Sequence, residues 1–381
     1  MIQEGHDESY ALLPAYCELL KQRNPNSVAF CTWARLESPQ PTLQFRSIFI
    51  SFEAQFKGLI NGCRGLIGVD GTHLKGNYGG VLLEAVCLDG NNEIFPVVVA
   101  VVDYENKSSW TWFFHHLKQI VTSTGRQDWT IISDRQKGVD PSLDKVWPKI
   151  QRRYCARHLC KNFKFEYPGL LMHKLFWAVT NATSMFSFKK ALQKLQEHAG
   201  LGAIQWFKDL GPLDKWTKWR FDPTVRSDEN TNNFVESFNS TISTERCMLV
   251  LTLLEGVRRI AMVRHATRQH IAEQWKDDEI CPNITERLRV LTKESRTFTA
   301  FSSGRGEFEV HVGRSMIPVS ISNKECACRK WQILGIPCKH GIRAILHDGK
   351  QPALYVSDWF FVARYKQAYS GNISAIPDPD C

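Results

Sequence analysis

Cys326-Ala-Cys328 and Cys338-Lys-His340 gather three thiols and an imidazole within fifteen positions. Zinc takes four nitrogen and sulfur ligands in a tetrahedron, and two short ligand pairs joined by a loop can wrap one ion. The loop supplies Trp331, Ile333, Leu334 and Ile336 as a small apolar core, and Gly335 and Pro337 turn the chain before the second pair. Buried cysteines can also be simple apolar residues. A C-x-C pair matched to a C-x-H pair arises by chance far less often than a lone C-x-x-C, so a zinc site at Cys326, Cys328, Cys338 and His340 is expected. A second set of residues is acidic. Asp70 lies in Val69-Asp70-Gly71-Thr72-His73, Asp134 in Ile132-Ser133-Asp134-Arg135-Gln136, and Glu236 in Asn233-Phe234-Val235-Glu236-Ser237. Carboxylates from separate segments can clamp two divalent ions roughly 3.5–4 Å apart for phosphoryl chemistry. Mg²⁺ suits such all-oxygen sites. An acid after a strand, taken singly, is also the ordinary cap of a turn or helix.

Periodicity outlines the elements that would position these acids. A helix is expected over 10–23 and a second amphipathic segment over 45–58, a helical lead-in across residues 1–60. Strands follow at 65–70, 81–88 and 94–102, with Asp89-Gly90-Asn91-Asn92 as a hairpin turn between the last two. A helix over 110–121, capped by Ser108-Ser109, precedes a strand over 129–134 that again ends in an acid. A short helix over 144–150 and a fifth strand over 152–159 complete an α/β set. Residues 166–227 read as a helical, Trp-rich insertion, and a long helical stretch with one break runs from 231 to 275. The division expected is 1–60, a core over 61–275, a connector over 276–318, a zinc module over 319–348 and a tail over 349–381.

With 381 residues, more than one ordinary core is expected. The 43% hydrophobic and 23% charged content is that of a folded soluble chain. The longest apolar run, 94–102, is too short to span a bilayer, so no membrane partner is expected. The first residues have neither a basic nor an apolar region, so no secretory signal is read. Twelve cysteines, scattered except for the last cluster, fit reduced thiols in cytosol or nucleus. The net charge of +9 permits nucleic-acid binding. Arg152, Arg153, Arg157 and Lys161 form one basic group, and Arg264 and Arg268 share a helix face. Both are candidate contacts to DNA phosphates, with a solvated helix face as the alternative.

The zinc segment, with its Trp331-Gln332 and Gly335-Ile336-Pro337-Cys338 core, resembles the SWIM-type zinc finger, which implies a DNA- or protein-binding module. Five further stretches occur in order. They are Gly58-Leu59-Ile60-Asn61-Gly62-Cys63-Arg64, Asp70-Gly71-Thr72-His73-Leu74-Lys75-Gly76, Ser133-Asp134-Arg135-Gln136-Lys137-Gly138, Tyr154-Cys155-Ala156-Arg157-His158-Leu159 and Asn232-Asn233-Phe234-Val235-Glu236-Ser237-Phe238-Asn239. With the finger after them, they resemble the plant-type Mutator-like (MULE) transposases over almost the whole chain.

That resemblance implies an α/β, ribonuclease-H-like core with a helical insertion, in agreement with the order of three strands, helix, strand, helix, strand. It implies that Asp70, Asp134 and Glu236 are a DDE triad holding Mg²⁺ or Mn²⁺ for DNA cleavage and strand transfer. It further implies a nuclear protein, and DNA as partner with a homo-oligomer to pair two ends. Members generally carry a DNA-binding domain upstream, so this chain is expected to lack the module that reads terminal repeats. The alternative is a domesticated, non-catalytic nuclear factor that binds DNA or protein.

Overall fold

Two helices, α1 (Ile2–Ala11) and α2 (Leu13–Arg23), open the chain. Leu13, Tyr16, Cys17 and Leu20 of α2 are buried at the i, i+3, i+4, i+7 spacing of a core-facing stripe. The rest of the lead-in departs from the helical expectation. β1 (Val28–Arg35) and β2 (Leu43–Ser51) pair as antiparallel strands, and only then comes α3 (Glu53–Gly62). The run Phe45-Arg-Ser-Ile-Phe-Ile-Ser51 is aromatic and β-branched, and β2 is paired on both edges, so strand propensity and ladder bonds together outweigh the helical pattern. The computed structural model describes residues 2–35, 43–76, 79–123 and 125–377, with side chains from Asp7 onward; the last four residues of the expected tail, 378–381, lie outside these.

β3 (Leu66–His73), β4 (Val81–Leu88) and β5 (Ile94–Val102) form an antiparallel meander. Helix α4 (Lys107–Val121) follows; its cap is Asn106 rather than the expected serines, the Asn106 carboxamide oxygen accepting from the amides of Ser108 and Ser109. Then come β6 (Thr130–Ser133), α5 (Val139–Val146) and β7 (Gln151–Tyr154). The expected fifth strand over 152–159 stops at Tyr154, because Cys155 caps α6 (Ala156–Glu166). The seven strands make one sheet in the order β1-β2-β5-β4-β3-β6-β7, with β6 and β7 parallel to β3. Its two faces carry separate apolar cores. One is built with Trp110, Phe113, Phe114 and Leu117 of α4. The other is built with Phe234, Val235 and Phe238 of a later helix and with Leu82, Val86 and Ile132 of the sheet.

Helices α7 (Leu170–Thr180) and α8 (Met185–Asp209) form the insertion, and α8 breaks at Gly200. Trp216 and Trp219 are buried with Phe163, Phe176, Phe188 and Phe207 in the insertion's own core. Helix α9 (Asn233–Thr241) carries Glu236, and α10 (Val250–Glu273) follows. Gly68 of β3 is where α9 touches the sheet. A Cβ there would stand 2.4 Å from Val235 and 2.6 Å from Phe234.

The expected connector is structured. Helix α11 (Pro282–Ser295) leads to β8 (Thr299–Gly304), β9 (Glu307–Val312), β10 (Ser315–Ser320) and β11 (Glu325–Cys326), a second sheet in the order β11-β10-β9-β8. Helices α12 (Lys330–Leu334) and α13 (Lys339–His347) complete the small module, and its first strand lies well before residue 319. Helix α14 (Val362–Ala368) then packs back on α3. The Tyr369 hydroxyl donates to the buried Asp89 carboxylate at 2.7 Å, which fixes the chain's end to the β4–β5 turn.

Gly68→Ala is expected to push α9 off β3 and destabilise the fold by about 1–3 kcal/mol, as overpacking does. Urea unfolding of the variant measures this. An unchanged midpoint would mean that the helix is not held at this contact.

Candidate active site and metal centre

Asp70 stands in the middle of β3, two residues beyond the last β3–β6 pair, Gly68–Ile132. It is not the strand's last residue, because β3 stays paired with β4 as far as His73. Asp134 immediately follows β6, the parallel neighbour of β3. Glu236 lies in the first turn of α9, the helix seated on Gly68. Strand alternation puts Asp70 and Gly68 on the same face as α9. The three acids thus come from two adjacent strands and the helix above them, and they interact. Burial, then the charges of Asp134, Glu236 and Glu105, push the Asp70 carboxyl up to about 7.

The surroundings add residues that the motifs did not single out. Glu84 faces Asp70 directly across the β3–β4 ladder, is fully buried, and neither of its oxygens has a partner among the described residues. Burial and the Asp70 charge push it well above the usual carboxylate range. Its signal in the sequence was a single acid inside the otherwise apolar run Val81-Leu-Leu-Glu-Ala-Val-Cys-Leu88. Asn239, one helical step from Glu236, donates to Asp70 Oδ2 at 3.3 Å. Glu105 is pushed up by burial and by Asp134, and a Cβ on Gly71 would stand 2.8 Å from its carboxylate.

The basic residues divide. Arg152 and Arg153, expected at a DNA surface, are buried instead. The insertion's turn at Leu213–Lys215 packs against β7, and both cations find their partners within the fold. Arg152 pairs with Asp140 at 2.9 Å and donates to Ser133 Oγ and the Asp134 carbonyl, both at 2.7 Å, bracing the Asp134 turn. Arg153 donates to the carbonyls of Ser227 and Glu229 at 2.9 and 3.0 Å, and its guanidinium lies 3.9 Å from the Phe221 ring centre. It holds the segment that leads into α9. Arg268 is likewise engaged, with the Ile94 carbonyl at 2.7 Å and with Tyr369. Arg264 is half-buried beside Phe238. Arg157 and Lys161 on α6 are exposed. Arg157 donates to Glu236 Oε2 at 2.5 Å and to Asn233 Oδ1 at 3.1 Å.

The sulfurs and imidazole converge fully. Cys326, Cys328, Cys338 and His340 offer ligand atoms that all lie within 4.8 Å of one another, the one such group among the described residues. Cys328 Sγ is 3.5 Å from Cys338 Sγ, and His340 Nδ1 is 3.6 Å from Cys326 Sγ and 3.9 Å from Cys338 Sγ. A tetrahedron with zinc–ligand bonds of about 2.0–2.3 Å has edges of roughly 3.5–3.8 Å, so the donor set and spacing fit zinc. Cys326 and Cys328 come from the end of β11 and the turn after it, Cys338 and His340 from the start of α13. Gly335, at φ 80°, makes the turn between them; a Cβ there would meet Ser357 at 2.8 Å. The knot is bonded to the rest of the protein: Thr183 Oγ1 donates to the Cys328 carbonyl at 2.6 Å, Arg329 to the Trp219 carbonyl at 2.7 Å, and Arg226 to the Gln332 carbonyl at 2.9 Å.

Residues 66–162 match the family model of the MULE transposase domain, and residues 308–349 match that of the SWIM zinc finger. The chain carries a MULE transposase domain and, towards its C-terminus, a SWIM zinc finger. No curated protein matches it. The transposase match contains Asp70 and Asp134 and ends before Glu236, and the finger match begins in β9, in keeping with the observed small sheet. The finger and its cysteine–histidine cluster together support zinc binding. Among the described residues, no helix is long and apolar enough to cross a membrane.

Two outcomes are expected. Cys338→Ser should lose the zinc, measured by metal analysis of reduced protein, and unfold the knot, since structural zinc contributes on the order of 10 kcal/mol to such modules. Full zinc retention would exclude this ligand set. Burial and the neighbouring carboxylates push the Asp70 carboxyl from its ordinary 3.8 up to about 7, so the folded state carries the extra proton between these values. Stability therefore falls as pH rises from about 4 to 7, by up to about 1.4 kcal/mol per unit. Asp70→Asn should remove that loss, and its urea midpoint should gain on wild type across this range. A pH-independent difference would show an ordinary carboxyl.

Proposed function

We propose that the chain is the catalytic core of a transposon-derived DDE transposase, cutting DNA and joining ends. In this reading the order β5-β4-β3-β6-β7, an antiparallel meander flanked by two parallel strands, is a ribonuclease-H-like core. The observation that carries it is the meeting of β3, which bears Asp70, with β6, which Asp134 follows, and with α9, whose first turn bears Glu236. The donors fit Mg²⁺ or Mn²⁺, being carboxylate oxygens whose mutual repulsion a cation would relieve. Asp70, Asp134 and Glu236 would hold the ions, which supply activation of a water or 3′-hydroxyl and stabilisation of the leaving oxygen.

The chain's own residues do the rest. Arg152 fixes the Asp134 turn, Arg153 the approach to α9, and Asn239 orients the Asp70 carboxylate. Arg157 and Lys161 offer exposed charge for phosphates beside the acids. The zinc finger adds a second contact, to DNA or to protein. A nuclear location and a homo-oligomer that pairs two DNA ends belong to the same reading.

A second reading, a non-catalytic nuclear factor that binds DNA or protein, has one observation in its favour: Glu236 is ion-paired to Arg157 rather than drawn in with the aspartates. Nicking of supercoiled DNA in Mg²⁺ or Mn²⁺ separates the two. Wild type should nick, and Asp70→Ala and Glu236→Gln should each lower the rate at least about a hundredfold, since truncating one acid removes a metal clamp, with zinc content unchanged. Metal-dependent DNA binding without nicking would favour the second reading.

A further inference from the structure

Arg157 differs from Arg152 and Arg153, the other arginines of its run. Arg152 and Arg153 are buried and bonded to backbone carbonyls, so their positions are fixed by the fold. Arg157 is 59% exposed, and its guanidinium donates to two side chains, Glu236 and Asn233. It sits at the second position of α6, and Glu236 lies in the first turn of α9. Two helix N-termini therefore meet at this pair, and such termini favour negative charge. A guanidinium placed there serves the carboxylate in one state and could serve a phosphate in another, because its planar fork matches both.

An exposed ion pair is weak, and a divalent cation at the neighbouring aspartates competes for the same carboxylate.

We propose that Arg157 is an exchangeable counter-charge. It neutralises Glu236 while the acid site holds no cation, and passes to a DNA phosphate when a divalent cation takes the carboxylate. This rests on the transposase reading of the acids. Metal binding and DNA binding then reinforce one another, because the cation frees the group that grips the strand. Arg157 is on this account a residue of the substrate site, not a brace of the fold.

The test uses the full-length, zinc-loaded protein and reads binding rather than turnover. Mn²⁺ alone is titrated by electron paramagnetic resonance into wild type, Arg157→Ala, Arg157→Lys, Glu236→Gln, Asp70→Asn and the double variant Arg157→Ala/Glu236→Gln. Removing the competing charge should tighten Mn²⁺ binding by roughly two- to fivefold, the scale of an exposed ion pair. Arg157→Lys, which keeps the charge, should stay near wild type. In the Glu236→Gln background, Arg157→Ala should change nothing. Binding of duplex DNA with a nonhydrolysable backbone should lose about one unit of salt slope in Arg157→Ala when Mn²⁺ is present, and keep its slope when it is absent. Unchanged or weaker Mn²⁺ binding in Arg157→Ala, with binding lost in Asp70→Asn, overturns this inference alone. Failure of wild type to bind Mn²⁺ overturns it together with the transposase reading.

Discussion

Like charges brought together in a poorly hydrated place repel, and the protein must hold them there by other means. Asp70 is inside a strand that stays paired with β4 beyond it, as far as His73, and has no freedom to retreat. Glu84 stands opposite it with no partner among the described residues, and Asp134 and Glu236 approach from a parallel strand and a helix. The apolar packing on either sheet face bears this cost. The large rings of α4 on one side and of α9 on the other hold the sheet at the point where the acids need it.

The same constraint explains where the arginines went. A buried guanidinium needs carbonyls and carboxylates, and Arg152 and Arg153 find them in the two segments that present the acids. Burial pushes the Arg153 guanidinium down to about 9. These cations serve as internal fastenings, and the exposed cations are the next ones along, Arg157 and Lys161 on α6. A basic run in the chain was thus cut by a helix start: before Cys155 the charges face in, after it they face out.

Much of this was legible in the sequence because it was local. The zinc ligands announced themselves through spacing, and the meander through its turn residues and apolar strands. The helical character of the insertion was legible too, in α7 and in α8 with its break at Gly200. What escaped needed partners distant in the chain. β2 carried a pattern open to two interpretations, and only its neighbours β1 and β5 decided it. Arg153 finds its partners in the carbonyls of Ser227 and Glu229, 74 and 76 residues later. Glu84 was visible as an anomaly, but its meaning required knowing which residue it faces across the ladder. In the small sheet, β9 alternates polar and apolar residues over Glu307–Val312, but its partners β8 and β10 are short and largely exposed, with little alternation to mark them.

The finger's attachment has a consequence for reach. Arg226 accepts from Arg64 through its carbonyl and donates to the Gln332 carbonyl through its side chain, so one residue joins the segment before β3 to the zinc loop. Thr183 and Arg329 join the same loop to the insertion. The finger is therefore no reading head on a tether, free to search while the acids wait. Whatever it grips is held at a set distance and angle from Asp70, as in the jaws of a caliper, and a ligand of the wrong curvature cannot satisfy both ends at once.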